Sequence, residues 1–290
     1  LQRILLLGKN GQIAWELRRA LAVQAEVITL GSQDLNLENS MAIREAVRNI
    51  NPRVIVNAAA FTAVDQAEDE PEKARLINAV APGIIAEEAK RSRALLVHYS
   101  TDYVFDGSKE SPYTEDDRAE PINVYGKTKL EGENNIRDVD ASHLIFRTCW
   151  VYGMRGRNFL LAMLKLAREK DELRVVDDQY GSPTWSRMIA QATALILFCS
   201  SHLELEGNIT GTYHLSARGQ TTWYEFARTI FELYFTSEND YANVIPIPSD
   251  EFITRAKRPA NSVLSADKLE KEFGISLPWW YSSLAQVMER

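Results

Sequence analysis

The chain has 290 residues, a formal net charge of −7, 45% hydrophobic and 25% charged residues. That is ordinary globular composition, long enough for one large or two modest domains, and its acidic balance excludes a basic footprint for nucleic acid or anionic membrane. No run approaches the roughly 20 apolar residues of a membrane span, and no signal peptide is recognised, so a cytoplasmic protein is expected. Cys149 and Cys199 sit in apolar stretches and are expected as two buried thiols rather than a disulfide.

Arg3 to Leu7 is a continuous apolar run, the pattern of a strand buried on both faces. Gly8-Lys9-Asn10-Gly11-Gln12-Ile13-Ala14 follows, then a helical pattern through Ile13, Leu17, Ala20 and Leu21. Strand, glycine turn and helix form the context in which Gly-x-x-Gly-x-x-Ala reads as a dinucleotide fingerprint. A diphosphate would lie on the helix N-terminus, where unpaired N–H groups point.

A second strand, Glu26 to Leu30, ends at Gly31-Ser32-Gln33. No acid stands there to hold a ribose 2′-hydroxyl, so NADPH and NADH are both permitted. Asp34 and Leu35 follow and would lie near the adenine. Ser40 to Asn49 predicts a helix with Ser40 as its cap, stopped by Asn51-Pro52. Val54 to Asn57 predicts a third strand, with the small residues Ala58, Ala59 and Ala60 at its carboxyl end, where ligands of open α/β sheets bind. The acids between Asp65 and Glu72 read as a solvated helix start, and a helix is expected to run past Asn78 towards Arg91.

Ala94 to Tyr99 predicts the fourth strand, delivering Ser100-Thr101-Asp102-Tyr103 to the same sheet edge. Tyr125 and Lys129 then stand four apart on a helix, on one face. An ammonium beside a phenol lowers the phenol's pKa, towards the range where a general acid works best. Further on, a strand is expected at His143 to Arg147, a helix from Arg157 to Glu169, a strand from Leu173 to Val176, helices over Ser186 to Cys199 and Thr222 to Phe235, and closing helices at Ser265 to Phe273 and Trp280 to Met288. His98 and His214, in apolar strands, read as structural. Trp279 and Trp280 read as core. Arg255, Lys257 and Arg258 form a basic cluster able to bind a diphosphate. The repeated strand–helix order predicts an α/β fold: a Rossmann-type doubly wound parallel sheet over residues 1–152, with a smaller, mainly C-terminal α/β substrate domain over 153–185 and 217–290. Elements around 186–216 are expected to pack back on the first domain.

Gly8-x-x-Gly11-x-x-Ala14, Asn57-Ala-Ala-Ala and Tyr125-x-x-x-Lys129 resemble the extended short-chain dehydrogenase/reductases. Trp15-Glu16-Leu17, His98 to Phe105, Asn123 to Gly126, Phe146 to Thr148 with Trp150 to Tyr152, Asp178 to Thr184, and Arg258-Pro259 with Asn261-Ser262 narrow the likeness to the dTDP-4-dehydrorhamnose reductases, over nearly the whole chain. The resemblance implies reduction of the C4 ketone of dTDP-4-dehydro-β-L-rhamnose by NADPH or NADH. It assigns Tyr125 as proton donor, Lys129 as its partner and nicotinamide-ribose ligand, and Thr101 as the third catalytic residue. Gly8, Asn10, Gly11, Gln12, Ile13, Asp34, Leu35, Ala58, Ala59, Ala60 and Thr62 correspond to the cofactor wall, and Val64, Asp102, Tyr103 and Trp150 to the sugar pocket. Asn158 is a further candidate for substrate contact, or else a helix cap, and Arg258 for the diphosphate.

Phe61 departs from the family's histidine, and Gly31 replaces an acid. Some members bind magnesium through glutamates at a dimer interface. Glu16 resembles one of these, but Arg187 falls where another is expected and would repel a cation. Magnesium is therefore possible but no metal is predicted, and the protein is expected as a monomer or homodimer. Two other readings stand beside the reductase. A 4,6-dehydratase or epimerase on this scaffold is disfavoured by Tyr103, which stands where a dehydratase has a second carboxylate. A non-catalytic regulatory subunit like that of methionine adenosyltransferase is disfavoured by the presence of Tyr125, Lys129 and Thr101 together.

Overall fold

The computed structural model describes residues 2–202, 210–237 and 240–289. Its centre is a parallel sheet built from β1 (Arg3–Leu7), β2 (Glu26–Leu30), β3 (Val54–Asn57), β4 (Leu95–Thr101), β5 (His143–Thr148) and a late strand, β10 (Gly211–His214). The order across the sheet is β10-β5-β4-β3-β1-β2, every pairing parallel. Strand direction and the right-handed crossover rule put helices on both faces. On one face Leu17 and Leu21 of α1 (Gln12–Leu21) and Ile189 and Ile196 of α8 (Ser186–His202) cover Leu6, Val56 and Phe146. On the other, Ile43 and Val47 of α2 (Ser40–Ile50) and Ile84 and Ile85 of α5 (Ala81–Ser92) cover Leu5, Ile55 and Leu96. Both faces of the strands are therefore dry, which is why β1, β3 and β4 read as unbroken apolar runs.

Local chemistry sets the element ends. α2 is capped by Asn39, not by Ser40: Asn39 Oδ1 accepts from the N–H groups of Met41 and Ala42, each at 3.1 Å. Asn51 closes that helix in the left-handed region, φ 48°. The helix expected past Asn78 towards Arg91 runs without a gap from Pro71 to Ser92, but with a π-helical turn inside it: α3 (Val64–Asp69) precedes it, then α4 (Pro71–Arg75), the turn Leu76–Val80, and α5. The turn rotates Asn78 inward, where its side chain bonds both Phe61 N (2.8 Å) and Phe61 O (3.1 Å), and Thr128 Oγ1 (3.2 Å). π-bulges of this kind recur beside functional sites. α6 (Val124–Val139) follows, crossing β4.

The remaining chain builds a second core. α7 (Phe159–Glu169), α9 (Trp223–Tyr234) and α11 (Trp280–Met288) enclose Leu160, Phe226, Phe231 and Leu284. Against them lie β7 (Glu172–Val176) and β12 (Asn243–Ile247), paired in parallel. Two short pairs complete it, β6 (Val151–Tyr152) with β9 (Thr184–Trp185) and β8 (Tyr180–Gly181) with β11 (Thr221–Thr222). α10 (Asp267–Phe273) packs beside β10. Trp280 joins the second core as expected, whereas Trp279 is 59% exposed and caps Gly219 from outside. Both cysteines are free thiols; Cys149 is buried and Cys199 only partly so. Among the described residues no helix is long and apolar enough to cross a membrane.

Candidate active site

The carboxyl ends of β1 and β3 open onto a cavity of about 400 Å³. Gly8, Asn10, Gly11, Leu35, Ala58, Ala59, Ala60 and Thr62 line it, as the sequence reading expected of a cofactor wall. Gly8 takes φ +98°, and a Cβ there would lie 2.7 Å from the Ala58 carbonyl oxygen. Only glycine lets the first turn pass this close to the end of β3. The cradle fits a dinucleotide diphosphate at the start of α1. Asp34 is not among the lining residues; it accepts from Gly31 N at 2.9 Å and pairs with Lys9 Nζ at 3.4 Å. Gln12 and Ile13 stand apart from the wall. Ile13 packs on the sheet core, while Gln12 donates to Val151 O and accepts from Asn158 Nδ2 at 2.8 Å.

β4 ends at Thr101, and α6 carries Tyr125 and Lys129. Asn123 caps α6 through Gly126 N at 2.8 Å, and the Glu68 carboxylate accepts from Val124 N at 2.8 Å. Glu68, read from sequence as a solvated acid, therefore completes the helix start. Thr101 lies close enough to the Tyr125 hydroxyl to favour its phenolate, and the Tyr125 ring meets Tyr103 edge-on with centroids 6.0 Å apart. Thr101 Oγ1 donates to Asp102 Oδ1 at 2.9 Å and accepts from Tyr103 N at 3.1 Å. Asp102 is 3% exposed, its Oδ2 without a hydrogen-bond partner, and burial raises its pKa to about 6.

The expected lowering of Tyr125 by Lys129 is not what sets the phenol, because burial outweighs it. Burial pushes the Tyr125 phenol up to about 12, and Lys129 down to about 8. The lysine Nζ donates to the Tyr99 carbonyl at 2.6 Å and lies 3.2 Å from His98 Nε2. His98, read as structural, thus touches a residue of the site, while His214 lies away from it against the carbonyls of Tyr113 and Ser265. One turn beyond Lys129, buried Glu133 accepts from Ser100 Oγ (2.6 Å) and twice from Arg147 (2.9 and 2.7 Å). This knot bolts α6 to β4 and β5 and so fixes Lys129. Sequence reasoning missed Glu133, although its signal was present: a carboxylate at i+4 from Lys129, on the face that must pack.

A larger cavity, about 730 Å³, opens in the second core. Phe159, Met163, Leu173, Trp223, Phe252 and Ile253 form its apolar wall, with Arg174, Arg255, Lys257 and Arg258 around it. Of the expected substrate residues only Arg258 lines this cavity. Val64 begins α3, and Trp150 stacks on Trp223 with centroids 3.4 Å apart. Asn158 proves to be a cap: Oδ1 accepts from Leu161 N, and Nδ2 is spent on Gln12 Oε1 and Gly153 O. Arg258 is paired with Asp65 at 2.8 Å, and Arg255 with Asp69, so the basic cluster already holds counter-ions. Trp223 and Phe159 went unnoticed because their helices read only as amphipathic. At the outer end of α1, Arg187 Nε lies 3.5 Å from Glu16 Oε2, and among the described residues no three His, Cys, Asp or Glu side chains gather as a metal would need.

The sequence profile of the RmlD substrate binding domain matches residues 2–290. The dTDP-4-dehydrorhamnose reductase of Burkholderia thailandensis is 44% identical, over 96% of this chain and 95% of its own. The chain belongs to the dTDP-4-dehydrorhamnose reductase family. The Escherichia coli K12 reductase is 42% identical, over 98% of this chain and 96% of its own. Among solved structures, the Bacillus anthracis dTDP-4-dehydrorhamnose reductase in complex with NADP superposes with a TM-score of 0.89 at 33% identity, over 99% of this chain and 98% of that one. Fold alone would not have separated this family from its neighbours. Thermus thermophilus UDP-glucose 4-epimerase in complex with NAD reaches a TM-score of 0.82 at 17% identity, covering 99% of this chain and 97% of that one.

Proposed function

We propose that this chain is an NAD(P)H-dependent oxidoreductase that reduces the C4 ketone of dTDP-4-dehydro-β-L-rhamnose to dTDP-β-L-rhamnose. The observation that carries the reading is Tyr125 beside Thr101, with Lys129 one turn along α6, in a chain of the reductase family whose β1 and β3 ends open onto a glycine-lined cavity. A bound NAD(P)H supplies hydride; the protein supplies position and a proton. Gly8, Asn10, Gly11, Leu35, Ala58, Ala59, Ala60 and Thr62 would hold it. Tyr125 protonates the oxygen that develops charge at C4, Thr101 supplies a neighbouring hydroxyl, and Lys129 faces the ribose side. A phenol held near 12 keeps its proton until an alkoxide, a stronger base, forms beside it.

The substrate would reach from Tyr125 and Tyr103 into the larger cavity, its base against Trp223 and Phe159 and its diphosphate on Arg258 and Arg255. This divides the chain into a cofactor-binding unit, 1–152 with 186–216, and a nucleotide-sugar unit, 153–185 with 217–290. A dehydratase reading has no second carboxylate at the site, since Tyr103 follows Asp102 and lies against Tyr125. We place the enzyme in the cytoplasm, as a monomer or homodimer. Tyr125→Phe should lower NADPH oxidation with the keto-sugar by about 10²–10⁴-fold, the usual worth of a positioned acid, with cofactor binding retained. Undiminished turnover in that variant would remove Tyr125 from the mechanism and the reading with it.

A further inference from the structure

The hydrogen bonds beneath Lys129 dictate where its protons can sit. The chain of constraint starts at a group whose role is fixed. The backbone N–H of Ala59 donates to Asn57 Oδ1 at 3.2 Å. The other end of that amide, Nδ2, therefore faces His98 Nδ1, at 3.1 Å. An amide NH₂ only donates, so His98 Nδ1 must accept and carries no proton. Turning the Asn57 amide over would set its NH₂ against the Ala59 N–H, donor to donor, and lose that bond, leaving only an acceptor for His98 Nδ1. A neutral imidazole with a bare Nδ1 carries its proton on Nε2. That N–H points at Lys129 Nζ, 3.2 Å away. An ammonium offers only donors, so an N–H aimed at it makes no bond. An amine has a lone pair to receive it.

We propose that Asn57 and His98 are positioning residues that make the neutral amine the form of Lys129 that fits the ligand-free protein. Its lone pair accepts from His98 Nε2–H, one N–H goes to the Tyr99 carbonyl, and the other N–H is left for the site. Asn57, His98 and Lys129 are each 1% exposed, so no solvent screens the arrangement. The charged and titratable groups around it agree. From β4, His98 is pushed well below its ordinary pKa, chiefly by burial, and so stays neutral. From β5, His143 acts on His98 in the same direction. From α6, Glu133 favours the ammonium, but its carboxylate is already neutralised by Arg147 and Arg137. Burial, the dominant effect on Lys129, brings it down to about 8. The consequence reaches the reaction, and to that extent rests on the reductase reading. Above about pH 8, where the amine prevails, Lys129 does not draw the proton off Tyr125, and the site holds its acid on the phenol.

The test is ¹⁵N NMR of the protein without cofactor or substrate at about pH 9, one unit above the value near 8 to which burial brings Lys129. The chain has four histidines, so His98→Gln assigns the His98 resonances by difference. The expected result is His98 as the neutral Nε2–H tautomer and Lys129 Nζ at an amine shift. Asn57→Asp should reverse both. A carboxylate accepts from Ala59 N–H and from His98 Nδ1–H together, which frees Nε2 to accept from a lysine ammonium. A wild-type His98 found as imidazolium or as the Nδ1–H tautomer, or a Lys129 ammonium at that pH, would overturn the proposal, and this holds even if Asn57→Asp fails to fold. No substrate enters the experiment. Failure here leaves the reductase reading standing, and failure of that reading appears instead in the Tyr125→Phe assay.

Discussion

Asp102 shows how a single residue at this site works against the stability of the fold. Its carboxyl is buried beside Thr101 and Cys149, with Oδ2 unpartnered, and burial raises its pKa from 3.8 to about 6. The native state thus binds the proton more tightly than the unfolded chain. That contribution is fully present below the unfolded pKa and is lost as pH rises through the folded one. Two units correspond to about 3 kcal/mol. Asp102→Asn should therefore gain stability over the wild type by up to about 3 kcal/mol more at pH 7 than at pH 4, read from urea unfolding at both. An offset that does not change with pH would mean the carboxyl is not shifted. Such a cost is the kind retained where a site needs it. From sequence, Asp102 read as a group facing the sugar, because a Thr-Asp pair at a strand end says nothing of which way each side chain turns. Thr101 and Tyr125 were legible, since a strand end and a Tyr-x-x-x-Lys spacing are local patterns. The surroundings of Lys129 were not, because Asn57, His98 and Lys129 arrive from β3, β4 and α6, and only packing joins them.

At the scale of elements, α6 is the part on which the site depends. Its start is capped by Asn123 and Glu68, its middle is tied down by Glu133, and its back lies on the π-helical turn at Leu76–Val80. That contact is made possible by Gly132, where a Cβ would fall 2.1 Å from the Asn78 backbone oxygen. A helical glycine with open space around it would gain roughly 0.5–1 kcal/mol on becoming alanine. Here the overlap is with backbone, so Gly132→Ala should instead destabilise by about 1–3 kcal/mol and lower activity by displacing Lys129. A stabilised, fully active Gly132→Ala protein would show that α6 and the turn are not locked together. The strands and most helices were readable from apolar periodicity. The π-helical turn inside the 71–92 helix was not, because the residues Asn78 meets, Thr128 and Gly132, come from α6, about fifty residues away. Asn39 displaced Ser40 as the cap of α2 for a simpler reason: both are good caps, and one residue of register separates them.

At the scale of the whole molecule, the 249–258 stretch joins the two cores. Arg258 and the Ala256 N–H both bind Asp65, Arg255 binds Asp69, and Asn123 Nδ2 donates to the Lys257 carbonyl. The basic cluster thus lies over the larger cavity with carboxylates from α3 in the position a diphosphate would take. Asp65→Asn keeps an acceptor for Ala256 but removes the charge that competes for Arg258. A half-exposed pair of this kind is worth about 1 kcal/mol at most, so dTDP should bind up to about fivefold tighter to the variant. Weaker binding would place the diphosphate elsewhere. The account as a whole rests on hydride reaching C4 of the sugar while Tyr125 supplies the proton. The most direct measurement is to supply NADPH deuterated at its transferred position together with dTDP-4-dehydro-β-L-rhamnose, and to locate the label in the product by NMR. The account predicts one deuterium at C4 of dTDP-rhamnose for each cofactor oxidised. Label at another carbon, or turnover of the sugar without net oxidation of cofactor, would contradict it.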